Sequence, residues 1–298
     1  MLHREMMNMR RKEFTEKLGR ELILLDGATG SCLRTRGMPV GVCTEQWAFD
    51  HPEVISGLQR AYAEAGSDIV YAPTFSANRL GLEMHGLADR LEALNTGLVR
   101  LTRAAVGDET LVAGDLTTTG KPLEPIGTMT YQALFDIYRE QAAILARAGV
   151  DLFIAETMLT IDETACAVEA VRSVCDLPVM CSLTMEADGR LLFGGTAAEA
   201  VETLQSVGAC AVGLNCSVGP DQLEATVASM AEVAQVPVIA KPNAGLPTID
   251  DKGVAHYSMG PEAFAEAMAR LVRAGAGVIG GCCGTDPEYI RLLRKITL

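Results

Sequence analysis

Three cysteines stand in surroundings that suit chemistry better than packing. Cys216 lies in "GLNCS", while Cys282 and Cys283 are adjacent in "GGCCGT". Glycine and polar residues surround all three. By contrast, Cys166, Cys175, Cys181 and Cys210 lie among apolar residues and read as small buried hydrophobes. Cys32 and Cys43 fall in a loop-like stretch. The total of nine is odd and lacks the regular spacing of a small secreted disulfide scaffold. Three thiols that converge without disulfide partners suit a metal that accepts sulfur, zinc above all, with Zn–S near ~2.3 Å. No C-x-x-C pair is present, so this is not the pattern of a zinc ribbon or finger. Gly280, Gly281 and Gly284 allow the sharp turn by which adjacent cysteines can face one ion.

Three protein ligands leave a tetrahedral ion one position short, which is the catalytic arrangement. The four histidines, His3, His51, His85 and His256, form no H-E-x-x-H and reach no strand end. Three thiolates leave a divalent ion with net negative charge around it. Such a site polarises a carbonyl poorly but can hold an exogenous thiol as its thiolate. A free thiol with a pKa of about 8.5 is sparsely ionised at neutral pH. The chemistry favoured is therefore attack by a substrate thiolate on an electrophilic carbon. The competing reading is a vicinal pair that is merely buried or redox-active.

A scaffold must bring these residues together. Short apolar runs recur as "ELILLDG", "SDIVYAPTF", "ETLVAGDL", "VDLFIAET", "LPVMCSLTM", "ACAVGLNCS", "VPVIAKPNAG" and "AGVIGGCC". Between them lie segments of helical spacing such as "PEVISGLQRAYAEAG" and "PEAFAEAMARLVRAG", several opening on Pro, Asp or Thr and closing on Gly. Near-continuous apolar strands indicate a parallel sheet. The beat predicts an α/β fold, a single (β/α)8 TIM barrel over residues 21–298, preceded by a short N-terminal helical extension at residues 1–20. A doubly wound open sheet lacks support, because no G-x-G-x-x-G follows any of these runs. Barrel sites gather at the C-terminal strand ends. Those ends are Asp26 with Gly27, Thr74, Asp115, Glu156 with Thr157, Asn215 with Cys216, Asn243, and Cys282 with Cys283.

Bulk properties narrow the partners. A formal net charge of −13 repels phosphate backbones and anionic membranes, so neither nucleic acid nor membrane is an expected partner. The sequence has no run long enough for a membrane span and no signal-peptide pattern at its N-terminus, which predicts a cytoplasmic chain.

"LLDGATG", "AGSDIVYAPTF", "IAETM", "GLNCS", "KPNAGLP" and "GGCCGT" together resemble the homocysteine S-methyltransferase family, from about Leu22 to the end of the chain. "PNAGLP" followed by "GGCCGT" is most similar to the homocysteine-binding barrels of its cobalamin-dependent methionine synthases. The resemblance implies zinc on Cys216, Cys282 and Cys283, with Asn243 as an exchangeable fourth ligand that the substrate sulfur replaces. It implies that Asp26, Gly27 and Glu156 hold the amino acid end of homocysteine. Charge complementarity supports this, since an α-ammonium needs carboxylates. The α-carboxylate is expected on the turn Gly27–Ala28–Thr29. Thr74, Asn215 and Asp115 are further candidate substrate contacts, with organisation of the "GDLTTTGKPLEP" loop as the alternative for Asp115, and Lys241 is expected to pair with a nearby carboxylate. The sequence lacks the D-x-H-x-x-G signature by which corrinoid modules ligate cobalt. The methyl group is therefore expected from methylcobalamin on a separate corrinoid protein. The alternatives are an S-methylmethionine-dependent enzyme and a non-catalytic zinc- or thiol-binding barrel.

Overall fold

The structure, a computed structural model, describes residues 12–250 and 255–296. Its centre is a sheet of eight parallel strands: β1 (Ile23–Leu24), β2 (Ile69–Tyr71), β3 (Leu111–Leu116), β4 (Leu152–Met158), β5 (Val179–Leu183), β6 (Ala211–Asn215), β7 (Val238–Lys241) and β8 (Ala276–Ile279). Each coincides with one of the apolar runs read from the sequence, β4 passing the end of its run by one residue. They pair in the order β1-β8-β7-β6-β5-β4-β3-β2, the neighbour order of a (β/α)8 barrel.

The seam between β1 and β2 is closed by other bonds than a ladder. Asp68 N–H donates to Leu24 O at 2.7 Å, and Leu24 N–H donates to Asp68 Oδ2 at 2.8 Å. Further along, Tyr71 N–H donates to Asp26 Oδ2 at 2.8 Å. Side-chain carboxylates thus stand in for carbonyls where β1 is only two residues long.

Two apolar layers follow from the alternation of side chains along each strand. The inner one packs Ile23, Leu25, Ile69, Tyr71, Ala113, Ile154, Met180 and Ile239 inside the barrel, joined by Phe14. The outer one lies between strands and helices and includes Tyr62, Leu98, Phe153, Val201 and Phe264. Helices at Pro52–Ala65, Tyr131–Ala148, Ile161–Arg172, Ala197–Ser206 and Pro261–Arg273 carry the expected punctuation. Thr130, Thr160 and Thr196 accept N-cap bonds, and Gly66 and Gly149 end their helices in the left-handed conformation.

Of the expected extension, residues 12–17 are helical, and residues 1–11 lie outside the described residues. A hairpin of Pro247–Ile249 with Ala255–Tyr257 follows β7. No helix among the described residues is long and apolar enough to cross a membrane.

Candidate metal centre and substrate pocket

The three cysteines are delivered by two strand ends on opposite sides of β7. Cys216 follows β6 directly and adopts φ +54°, a left-handed backbone that a residue with a Cβ rarely takes. Its N–H donates to Lys241 O at 3.4 Å. Cys282 and Cys283 follow β8 in a turn held from several sides. Gly281 N–H donates to Asp26 O at 3.1 Å, Cys282 N–H to Pro242 O at 2.7 Å, and Ala244 N–H to Cys283 O at 3.0 Å. Gly284 closes the turn at φ +84°, where a Cβ would lie 2.3 Å from the Tyr257 ring.

The result is a compact sulfur triad. All three Sγ atoms lie within 4.8 Å of one another, and Cys216 Sγ is 3.6 Å from Cys283 Sγ. Tetrahedral zinc with Zn–S near ~2.3 Å requires sulfurs roughly 3.8 Å apart, so the donor set fits such an ion. Cys283 is drawn down to about 3 by hydrogen bonds from Cys216 and Cys282. Cys216, bonded to the same two neighbours, is pushed up. Three thiols this close oppose one another's ionisation, which a cation among them would relieve. Asn243 follows β7, and its Nδ2 donates to Ser217 O at 3.1 Å. Its Oδ1 is buried without a hydrogen-bond partner among the described residues. An orphaned carbonyl oxygen of this kind suits a fourth, exchangeable ligand.

Beside the triad lies a cavity of about 380 Å³ lined by Gly27, Ala28, Tyr71, Asp115, Glu156 and Lys241, with all three cysteines on its wall. Lys241, the last residue of β7, is buried with its Nζ 3.5 Å from Asp26 Oδ1 and 3.8 Å from Glu156 Oε2. It also sits 4.8 Å above the Tyr71 ring. Burial works against its charge, but Glu156 and Asp26 outweigh that and hold its pKa up. Burial pushes the Glu156 carboxyl up to about 7 against the pull of Lys241. Asp26 shifts upward for the same first reason. Asp115 is held well above the usual carboxylate range by burial and by Glu156.

The expected contacts divide into those on the cavity wall and those behind it. Gly27, Ala28, Glu156 and the cysteines line it, whereas Asp26, Thr74, Asn215 and Asn243 do not. Thr74 Oγ1 donates to Asp115 O at 2.9 Å and accepts from Asp115 N–H at 3.1 Å, tying β2 to β3. Asn215 is fully buried. Its Oδ1 accepts from Thr157 N–H and from Ser182 Oγ, both at 2.8 Å, and its Nδ2 donates to Thr157 Oγ1. This bracket secures Thr157 at φ +57° beside Glu156. Ala28 N–H is engaged by Thr285 Oγ1 at 3.2 Å.

The loop after β3 decides between the two readings of Asp115. Glu163 organises it, accepting from Thr118 Oγ1, Thr119 N–H, Thr119 Oγ1 and Tyr138 OH at 2.6 to 2.9 Å. Asp115, for which this was the alternative reading, lines the cavity instead. Sequence reasoning also missed Glu45, Tyr71 and Phe75 on the wall. Tyr71 had a signal, since it shares the inward phase of β2 with Ile69; Glu45 opens a short helix, Thr44–Asp50, and Phe75 lies in a turn, and neither had one.

Comparison with known proteins agrees with this geometry. The family model described as homocysteine S-methyltransferase matches residues 23–297. Methionine synthase from Mycobacterium leprae (strain TN) is 30% identical over 303 residues, covering 94% of this chain and 24% of that protein. Methionine synthase from Mycobacterium tuberculosis (strain ATCC 25618 / H37Rv) is 30% identical over 297 residues, covering 94% and 25%. The chain therefore spans about a quarter of the length of the curated relatives it matches. Among solved structures, the metallated form of the homocysteine methyltransferase MmuM from Escherichia coli superposes with a TM-score of 0.78 at 22% identity, covering 96% of this chain and 99% of that one. Its oxidized form gives 0.76 at 24% identity, covering 92% and 95%. At those identities the likeness is one of fold.

Proposed function

The chain belongs to the homocysteine S-methyltransferase family, and we propose that it makes methionine by moving a methyl group onto the sulfur of homocysteine at a zinc site formed by Cys216, Cys282 and Cys283. The observation that carries this reading is the sulfur triad opening onto a cavity with buried carboxylates. When bound there, zinc supplies an open coordination position that draws in a thiol and removes its proton.

The remaining work falls to this chain's own residues. Glu156 meets the substrate ammonium, and the turn Gly27–Ala28–Thr29 receives its carboxylate through the backbone N–H groups of Gly27 and Thr29, since that of Ala28 is held by Thr285 Oγ1. Asn243 Oδ1 would hold the zinc beside the three cysteines as an exchangeable fourth ligand. Thr74 and Asn215 act from behind the wall, holding β3 and Thr157 so that the pocket keeps its shape. The apolar share of the wall, including Tyr71 and Phe75, excludes water around the nucleophile. Positioning along the line from sulfur through methyl to leaving group does much of the catalysis. We place the reaction in the cytoplasm, where the nine free cysteines stay reduced.

The donor we favour is methylcobalamin carried by a separate corrinoid protein, on the strength of "KPNAGLP" and "GGCCGT". A test is to add zinc-loaded protein and homocysteine to a methylated corrinoid protein and follow the methyl–cobalt absorbance. Loss of that spectrum with formation of methionine supports this donor. An unchanged spectrum, with methionine formed from S-methylmethionine instead, overturns it in favour of the sulfonium.

A further inference from the structure

The turn that carries Cys282 and Cys283 and the turn after β1 come from opposite ends of the sequence, yet they are laced together. Gly281 N–H donates to Asp26 O at 3.1 Å, and Gly284 N–H donates to Ser31 Oγ at 3.2 Å. Between these two bonds a single side chain joins the turns. Thr285 is fully buried. Its Oγ1 donates to Cys282 O at 2.8 Å and accepts from Ala28 N–H at 3.2 Å, across 257 positions of sequence. One hydroxyl thus holds the backbone of a sulfur ligand on one side and the middle of the turn Gly27–Ala28–Thr29 on the other. The packing around it is close, since a Cβ on Gly281 would lie 2.4 Å from Thr285 Oγ1. Tyr62 OH donates to Ala28 O at 2.7 Å, and Cys32 Sγ donates to Thr285 O at 3.3 Å. A threonine that served only its own turn would need the bond to Cys282 alone; the bond to Ala28 does nothing for that turn. A buried polar chain whose members are all satisfied holds the segments it joins in one arrangement.

We infer that Thr285 is a positioning residue that couples the metal centre to the turn after β1, so that the two move as one unit. Zinc on the cysteines fixes Cys282, Thr285 passes that order to Ala28, and the N–H groups on either side of Ala28 are aimed into the cavity before the acceptor enters. The coupling runs equally in both directions, so a ligand held on the turn after β1 tightens the metal site in turn. This rests on the reading that zinc occupies the sulfur triad.

The test uses the full chain without substrate. Hydrogen exchange of the Ala28 amide is followed by NMR in the metal-free and the zinc-loaded protein. Zinc should slow that exchange roughly 5- to 150-fold, the range of a coupling between sites, although no sulfur ligand lies in that turn. Thr285→Val keeps the shape of the side chain and removes the hydroxyl. It should abolish the response of Ala28 and weaken zinc about 10- to 100-fold in competition with a chelator. Thr285→Ser keeps the hydroxyl and should retain both. Exchange at Ala28 that ignores zinc in the wild type would overturn the inference. Equal losses in Thr285→Val and Thr285→Ser would overturn it too, because packing of the methyl group would then explain them. If Thr285→Val fails to fold, the wild-type exchange and Thr285→Ser still decide. Neither measurement uses homocysteine, so failure of the acceptor reading shows separately, as a zinc-loaded wild type that does not bind that thiol.

Discussion

Cys216 sits in a backbone conformation that costs about 1–3 kcal/mol for a residue with a side chain. Such strain persists where the surrounding structure must aim a side chain, here toward Cys282 and Cys283 across β7. Cys216→Ala should therefore lose bound metal and methyl transfer together, by more than about 100-fold in rate; metal analysis beside turnover checks this, and retained metal with full turnover would refute it. The acids of the pocket make a separate prediction about pH. Glu156 moves from an ordinary 4.5 up to about 7, and Asp26 and Asp115 shift the same way. A carboxyl raised in the folded state binds more protons there than in the unfolded chain. Its stabilising contribution is present below the ordinary value and is lost as pH rises through the folded one. The ligand-free protein should thus lose stability between about pH 4.5 and about pH 7, and Glu156→Gln should flatten that slope. Thermal midpoints across this window decide it.

At the scale of elements, the site depends on how β1, β6, β7 and β8 end. The turn after β8 is fixed by backbone bonds to β1 and to the segment after β7, and Gly284 gives it a conformation that other residues resist. Gly284→Ala should cost about 1–3 kcal/mol, from positive φ and from collision with the Tyr257 ring. It should also lower metal occupancy by misdirecting Cys283; unchanged occupancy would show that the turn does not aim the ligand. All eight strands and the main helices were legible in the sequence because parallel strands, buried on both faces, leave apolar runs between punctuated helices. The three cysteines and Glu156 were legible because barrel chemistry collects at strand ends. Lys241 was anticipated only as some carboxylate's partner, since a strand-end pattern does not tell which acids it reaches. The roles of Asp26 at the seam, Asn215 beneath Thr157 and Glu163 in the β3 loop arise from hydrogen bonds between distant segments. Residue type and spacing carry no signal for those.

The molecule as a whole is a barrel with two continuous apolar layers, so its fold does not depend on a metal as that of a zinc finger does. Chelation should leave the far-UV circular dichroism in place yet lower the thermal midpoint. A ligand at 1,000 times its dissociation constant contributes about 4 kcal/mol that chelation removes. Unfolding on chelation would mean that the sulfur triad is structural. The negative charge of the whole chain disfavours polyanions as partners, and the acceptor proposed for the cavity is a small thiol carrying a cation. The central claim is that this thiol enters the metal's own coordination shell. X-ray absorption at the zinc edge, with selenohomocysteine added to the zinc-loaded protein, tests it most directly. The account predicts that one oxygen or nitrogen neighbour is replaced by selenium while three sulfur neighbours remain. A shell that is unchanged by the selenol would contradict it.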